Sequence, residues 1–195
     1  NAFGSLGSAS IRDCVGFADE ECQTIIYPVG RNLMIRSLDQ DKKSVTLIKQ
    51  SDKVERPVAM NVSKNLLLAV SERLRGERMP QVSVFDLSAN PPRRQRVLTY
   101  KEILQYKDFE IEEFNSVSFS SDSVFLACVT NIKPSSLVMA QKEGPRACVI
   151  VYDWYKMKKI GESQLKDCLI TKITINPHDS HTICTSGLGH WRIWR

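Results

Sequence analysis

The chain has 195 residues, of which 42% are hydrophobic and 25% charged, so it can form a folded core and is not a disordered chain. Its net charge of +5 comes from 27 basic and 22 acidic side chains, mostly interspersed, whereas nucleic-acid-binding proteins usually carry a denser basic face. No apolar run approaches the about 18 residues of a membrane-spanning helix. We therefore expect a globular protein with neither nucleic acid nor membrane as partner.

Residues 1–10 are small and polar and are expected to form a flexible leader. A first unit, at about 11–50, contains three convincing strands, and the first two of these are separated by a turn at Gly30. The strands are expected at residues 24–29, 33–38 and 45–48, after a weaker one at 14–17. Asp39 closes the third strand.

A second unit is expected at about 55–100, with strands near 58–62, 66–70 and 82–85 and an outer strand at 96–100. Residues 72–80 are predicted to form a polar hairpin loop. The third strand again ends at an aspartate, Asp86. The charged residues 101–113 are compatible with a loop or a turn of helix.

A third unit, at about 114–166, shows the pattern most clearly. Val117 and Phe119 alternate with serines, residues 120–123 have the side chains of a tight turn, and residues 124–129 are apolar almost throughout. Such an apolar strand predicts a sheet covered on both faces. Its third strand, 148–152, stops at Asp153, and residues 131–147 are predicted to form a long inserted loop.

A fourth unit, at about 169–195, has strands at 170–175 and 182–187, with a turn at 176–179 between them. The third strand holds Trp191 and Trp194, which are expected to fill the core between units.

The spacing of the units predicts the fold. Asp39, Asp86, Asp153 and Trp194 end the four third strands and lie 47, 67 and 41 residues apart. Without the 131–147 insertion all three spacings come near the ~40–45-residue period of WD-type blades. The sequence therefore predicts an all-β, WD-type β-propeller over residues 11–195 with about four blades, as an incomplete part of a seven-bladed propeller. A β-sandwich of short strands and a closed four-bladed ring are the alternatives.

Candidate chemical groups are few. His178 and His181 flank Asp179, but no third metal ligand is near and the segment occupies the position of a turn. No nucleophile elbow occurs, and the glycines at 187 and 189 suit a hairpin turn better than a phosphate loop. The six cysteines form no CxxC pair and are expected to be reduced and intracellular. We expect no enzyme, no metal and no cofactor.

One dense basic cluster, formed by Arg93, Arg94 and Arg96, follows the proline pair at 91–92. An extended approach would place these arginines on a loop or an edge strand. A solvated face is the simplest interpretation. The sharper hypothesis is contact with an acidic partner such as a microtubule surface, because several like charges steer association. The loops at 72–80 and 131–147 are further possible docking surfaces.

Several runs resemble degenerate WD repeats, and their order is more specific than any one of them. The runs are residues 23–30, 80–88, 91–98, 118–127, 151–154 and 186–194. Together they resemble the amino-terminal propeller of the axonemal WD-repeat proteins of the cilia- and flagella-associated protein 57 type, over most of residues 15–195.

The resemblance implies a structural component of motile cilia, located in the cytoplasm and cytoskeleton at the axoneme of a cilium or flagellum. It implies axonemal partners, namely the inner dynein arm, the regulatory complex and tubulin, and expects the rest of the propeller and a coiled coil outside this chain. A different class of function is a propeller that reads substrates or peptides as an adaptor of a ubiquitin ligase or a chromatin complex.

Overall fold

Sixteen β-strands form the part of the chain that the computed structural model describes, which is residues 13–39, 44–77, 79–100, 109–111, 113–134 and 144–195. The leader expected at 1–10, most of the 101–113 segment and residues 135–143 of the expected 131–147 loop lie outside these residues. Within the described ranges there is no helix, and so none that could cross a membrane.

The strands form four antiparallel sheets that follow one another along the chain. The first contains β1 (Gly16–Phe17), β2 (Thr24–Val29), β3 (Asn32–Ser37) and β4 (Val45–Ile48). The second contains β5 (Val54–Val62), β6 (Leu67–Leu74), β7 (Gln81–Asp86) and β8 (Arg93–Thr99). The third contains β10 (Ser116–Phe119), β11 (Phe125–Pro134), β12 (Arg146–Asp153) and β13 (Lys158–Lys166), with β9 (Phe109–Glu110) paired to the end of β11. The fourth contains β14 (Leu169–Asn176), β15 (Asp179–Leu188) and β16 (His190–Trp194).

Each sheet is a meander whose strands pair in chain order, and the first strands of successive sheets, β1, β5, β10 and β14, lie side by side. The sheets therefore fan out from a shared inner edge, as the blades of a propeller do. A two-layer sandwich, the alternative left open by strand alternation, would pair strands across the chain instead.

Apolar side chains fill the space between neighbouring blades. Ile26, Leu33 and Leu68 belong to the cluster between the first and second blades, and Tyr100, Phe114 and Leu126 to the cluster between the second and third. Ile170, Ile173 and Ile175 of the fourth blade pack on Ala127 and Val129 of the third. The third blade is thus covered on both faces, as its apolar strand predicted.

Polar side chains also join the blades along their inner edge. The backbone N–H of Phe119 donates to Asn61 Oδ1 at 2.9 Å, and those of Ile173 and Ile175 donate to the hydroxyls of Ser116 and Ser118 at 3.2 and 3.0 Å. An innermost strand has no further strand on its channel side, so these side chains satisfy N–H groups that would otherwise be unpaired. The serines are therefore buried connectors and not a solvent-facing stripe.

Two expectations about loops are corrected. Residues 131–134 and 146–147 extend β11 and β12 in continuous register instead of belonging to an inserted loop, because β9 and β13 give their backbone groups partners. Glu72 also lies inside a strand, opposite Gln81, and is fully buried. The loop between β6 and β7 therefore begins after Leu74 and not at residue 72.

The expectation that both tryptophans fill the core is half wrong. Trp194 packs on the cluster between the third and fourth blades, whereas Trp191 is 69% exposed. Neighbouring residues of a strand point to opposite faces, and the face of the fourth sheet turned away from the third has no described sheet against it.

Gly187 is placed where no side chain fits. It lies opposite Ile170 in the β14–β15 pair, and a Cβ atom there would collide with the backbone of Leu169 and Ile170. Gly187→Ala should lower the free energy of unfolding by about 1–3 kcal/mol, since backbone cannot move aside as a side chain can. Urea unfolding measures this, with Gly161→Ala as control because its nearest contact is an ordinary 4.0 Å to Val151. If the two variants are equally stable, the close approach of the Leu169 and Ile170 backbone to Gly187 is contradicted.

Candidate partner-binding surface

The arginine cluster lies on β8, the outermost strand of the second blade. Val84 pairs with Arg96 and Phe85 with Arg94, so Gln95 is the extra residue of a bulge. Val84 faces the third blade and Phe85 the first. The bulge therefore directs Arg96 and Arg94 to opposite faces of the strand instead of the same one.

Arg96 reaches across to the third blade. Its guanidinium carbon lies 5.0 Å from the centre of the Tyr155 ring, within the range of a cation–π contact. Arg96 Nε donates to the backbone carbonyl of Tyr155 at 3.3 Å, and its Nη1 donates to the carbonyl of Gln95 at 2.9 Å. Three contacts thus hold the side chain in one orientation.

Trp154 holds the ring of Tyr155 in place, although the Tyr155 side chain is 65% exposed. Its ring meets that of Trp154 edge to face at 5.8 Å, and Trp154 Nε1 donates to the carbonyl of Ser123 at 2.6 Å. Trp154 also contacts Phe119 of the buried cluster edge to face. An exposed aromatic ring on a rigid base can be covered by a partner at little cost in conformational entropy.

We call Arg93, Arg94, Arg96 and Tyr155 the basic rim. Arg93 and Arg94 are exposed, and the ion pairs of the described residues use other cations, namely Arg31, Lys53, Arg56, Arg73, Lys156, Lys159 and Lys172. The Lys156 amino group binds Asp153 at 2.9 Å, and this hydrogen bond lowers the pKa of that carboxyl. The rim therefore presents arginines that form no salt bridge among the described residues, although the charge of Arg94 acts on the buried carboxyl of Glu72.

A second candidate site is a cavity of about 620 Å³ at the inner edge of the first and second blades. Its wall combines acidic, basic and apolar groups: Asp13, Asp19, Glu20, Lys64, Lys172, Phe17, Val62 and Leu66. Lys172 of the fourth blade pairs with Asp13 at 2.6 Å across this space. Its volume suits one or two side chains of a peptide.

Buried polar groups inside the blades are structural. The Tyr100 hydroxyl donates to Glu162 Oε1 at 2.7 Å, and Lys159 Nζ donates to Glu162 Oε2 at 2.6 Å. Burial raises the pKa of the nearby Cys148 thiol to about 12 and also raises that of Tyr100. Both groups are therefore protonated at neutral pH, which makes them poor nucleophiles.

A similar series of side-chain hydrogen bonds joins strands β15 and β16 of the fourth blade. Trp194 Nε1 donates to the buried hydroxyl of Thr185 at 2.9 Å, and the same hydroxyl contacts His190 Nε2 at 2.9 Å. His190 thus helps to position the strand β16 on β15. The other histidines, His178 and His181, lie at the β14–β15 turn, where Asn176 and Asp179 accept their backbone N–H groups. Among the described residues there is no group of three metal-binding side chains.

None of the six cysteines, all of which lie among the described residues, forms a disulfide bond, and Cys128, Cys148 and Cys184 lie in strands as expected. Cys22 differs from the rest because it is exposed.

Sequence patterns located the basic rim only in part. The arginines are visible as a cluster, but Tyr155 lies 59 residues after Arg96 and becomes its neighbour only when the second and third blades stack. The period of the repeat would have indicated that outer hairpins of successive blades lie together.

The fold and its repeated sheets define the class of protein, which is the β-propeller of the WD type. The structure is similar to the Cps50 (Swd1) β-propeller domain of Myceliophteria thermophila, with a TM-score of 0.65 and 12% sequence identity, over 93% of this chain and 50% of that one. The four sheets thus confirm the predicted fold class. No family model matches the sequence.

In sequence the chain is similar to cilia- and flagella-associated protein 57 of Mus musculus, with 29% identity over 184 residues. The alignment includes 93% of this chain but spans only 13% of the length of that relative. The resemblance that the ordered runs predicted is confirmed.

Proposed function

We propose that the chain is a non-enzymatic protein-interaction scaffold of the motile-cilium axoneme that helps to position inner dynein arms on the doublet microtubule. The named relative is a cilia- and flagella-associated protein, and the propeller fold offers several rigid surfaces to protein partners. The coarse part of this proposal, a cilia-associated WD-type scaffold, has the support of both similarities.

The observation that carries the proposal is the basic rim. A cation–π contact and a hydrogen bond hold Arg96 against Tyr155. The Arg96 side chain is therefore already ordered before a partner binds, and less side-chain conformational entropy is lost on binding. The exposed Arg93 and Arg94 add charge without adding apolar area. An acidic protein surface fits this combination, and the acidic surface of the doublet microtubule is the partner we propose, with inner dynein arms and the regulatory complex bound by other faces.

The double variant Arg93→Ala and Arg94→Ala should weaken binding to microtubules about tenfold at low salt, since rim charges chiefly steer association. The difference should shrink as salt is raised. Cosedimentation with microtubules at several salt concentrations measures it. The control, Arg36→Ala with Arg75→Ala, removes the same charge from two exposed arginines of the first and second blades outside the rim. If both double variants weaken microtubule binding equally, the effect of charge is nonspecific and the proposed site is contradicted.

The cavity at the inner edge favours a second candidate function, a propeller that reads peptides as an adaptor of a ubiquitin ligase or chromatin complex. Acidic groups and Phe17 in its wall suit a basic or apolar peptide side chain. Pull-down with the chain from motile cilia and, in parallel, from nuclear extract separates the two. Recovery of axonemal proteins supports the scaffold, and recovery of nuclear complexes alone supports the adaptor.

A further inference from the structure

The third blade carries a group of exposed apolar side chains although a neighbouring sheet covers each of its faces. In the first and fourth blades, the exposed large apolar side chains lie on the two outer faces of the series, against which no described sheet packs. The third blade is different, because one apolar cluster joins it to the second blade and another joins it to the fourth. Its exposed apolar side chains therefore do not belong to an uncovered sheet face.

Four side chains at one end of the third sheet make up this group, which we call the apolar corner. Tyr155 is 65% exposed, Met157 58%, Ile160 50% and Val124 43%. Tyr155 and Met157 lie in the turn between β12 and β13, which the N–H of Met157 closes by donating to the carbonyl of Trp154 at 3.3 Å.

The strand register brings the other two residues to the same end of the sheet. Phe125 pairs with Asp153, the last residue of β12, so Val124 lies beside the turn that follows. Ile160 is the third residue of β13 and the extra residue of its bulge. Several exposed apolar side chains in one place, bordered by charged ones, mark an interaction surface, whereas single ones do not.

Positively charged side chains border the apolar corner. Arg96 reaches it from the second blade, and Lys158 is exposed where β13 begins. The carboxylates at this end are already bound within the chain. Asp153 binds the Lys156 amino group at 2.9 Å, although the charge of Lys158 also acts on it. Asp122 accepts a backbone N–H of its own turn at 3.0 Å. The border therefore offers cations to an acidic partner.

We propose that the apolar corner, together with Arg96 and Lys158, binds an acidic segment of a partner protein that carries one large apolar side chain. That side chain packs on Tyr155 and Met157, and the carboxylates beside it face Arg96 and Lys158. The proposal rests on the proposed function at one point, the acidic partner of the basic rim. It goes beyond that function by adding an apolar determinant.

Both parts of this chemistry are needed to match the surface. A segment with acidic side chains alone would leave Met157 and Ile160 in water, and burial of apolar area is the larger source of binding free energy. A segment with apolar side chains alone would leave the charges of Arg96 and Lys158 without a complement. An acidic segment with an apolar anchor satisfies both.

An anionic membrane also combines negative charge with an apolar phase, but the geometry of Tyr155 favours a protein. Trp154 meets the Tyr155 ring edge to face at 5.8 Å, and the guanidinium of Arg96 lies over its face at 5.0 Å. A ring held on two sides does not turn to enter the acyl region, as the aromatic side chains of membrane-bound helices do. It can still be covered by a side chain that docks from outside.

Fluorescence anisotropy with two labelled peptides tests the proposal on the protein expressed from its complete open reading frame. Both peptides are rich in glutamate, and one carries phenylalanine where the other carries serine. The phenylalanine peptide should bind about tenfold more tightly. This ratio should persist as salt is raised, because salt screens charge pairs and not apolar contacts. Replacing the glutamates by glutamine should weaken binding at low salt.

The double variant Met157→Asn and Ile160→Thr removes half of the apolar corner and leaves the basic rim intact. Asparagine tolerates the positive φ of 53° at residue 157, and threonine is β-branched like the isoleucine it replaces. The preference for phenylalanine should fall below about threefold. The matched control, Val45→Thr with Leu47→Thr, removes two exposed apolar side chains from the outermost strand of the first blade and should keep the full preference.

Three results would each overturn the proposal: equal affinities for the two peptides, a Kd of the phenylalanine peptide above about 1 mM, or a preference that the double variant retains. Vesicles containing phosphatidylserine are the membrane probe. Vesicle binding that the double variant loses, with no preference between the peptides, identifies a membrane surface and also overturns the proposal. Failure of the proposed function is distinguishable, because unchanged microtubule binding by the Arg93→Ala and Arg94→Ala variant contradicts the microtubule role without affecting the preference for phenylalanine.

Discussion

Replacing Asn131 by leucine should lower the free energy of unfolding by about 2–6 kcal/mol. Its side-chain amide binds both backbone groups of Ile170: Nδ2 donates to the carbonyl at 2.9 Å, and the N–H donates to Oδ1 at 3.0 Å. Ile170 is fully buried. A leucine of similar size leaves one donor and one acceptor without partners, and each costs about 1–3 kcal/mol.

Urea unfolding measures the loss, and hydrogen exchange at the Ile170 amide locates it. The control is Asn65→Leu, a matched change at an exposed turn residue, expected to stay within about 0.5 kcal/mol. Because Asn131 joins the third blade to the fourth, the variant should release the fourth blade first, with faster exchange in residues 169–194. A loss below about 1 kcal/mol would mean that another group satisfies Ile170.

Asn131 illustrates what the sequence could and could not predict. The hydrophobic alternation and the spacing of the third-strand ends predicted four units and the propeller class, because strand period and repeat length are local properties of the chain. A polar side chain that binds a strand 39 residues later has no local signature. Pro134, Gly144 and Pro145 instead favour a loop over residues 131–147.

The same limit explains the serines of β10. Their alternation with Val117 and Phe119 predicts a strand with one apolar face, which is the usual meaning of that pattern. In a stacked blade both faces are covered, so Ser116 and Ser118 are buried and serve as acceptors for the next inner strand. Burial of the polar face follows from the stacking of blades and not from the pattern itself.

The candidate site divides in the same way. A basic cluster is a one-dimensional feature, and its position on an edge strand was among the expectations. The bulge at Gln95, which sends Arg94 and Arg96 to opposite faces, and the stacking of Arg96 on Tyr155 depend on register and on a neighbouring blade. The role of these arginines in binding stays a prediction.

Glu72 gives the prediction with the clearest dependence on pH. It is fully buried in β6, and its Oε2 accepts hydrogen bonds from Gln81 Nε2 at 2.6 Å and Ser83 Oγ at 2.7 Å. Its Oε1 is buried with no hydrogen-bond partner among the described residues. Burial raises the pKa of the carboxyl, although these two hydrogen bonds and the charge of Arg94 oppose the shift.

A raised pKa in the folded state means that the protonated form is favoured by folding. The contribution of Glu72 to stability is therefore fully present below the ordinary value of 4.5 and is lost as the pH rises through the higher folded-state pKa. Glu72→Gln keeps the shape and an acceptor for Gln81 and Ser83 but cannot ionise. Its free energy of unfolding should match that of the natural protein near pH 4 and exceed it at pH 8 to 9, by on the order of 1–3 kcal/mol, because only the natural protein must then keep a charged carboxylate buried with one oxygen unpaired.

Urea unfolding at intervals between pH 4 and pH 9 gives the difference between variant and natural protein at each pH. The exposed Glu20 provides the matched control, because Glu20→Gln changes a surface side chain and should alter the free energy of unfolding by no more than about 0.5 kcal/mol. A flat difference for Glu72→Gln would mean that this carboxyl keeps the same proton affinity on folding. If instead the gain in stability of Glu72→Gln rises with pH, the Glu72 carboxyl ionises in the folded protein at the interface between the first and second blades. Mild alkali should then weaken that interface before it weakens the interface between the second and third blades or the one between the third and fourth.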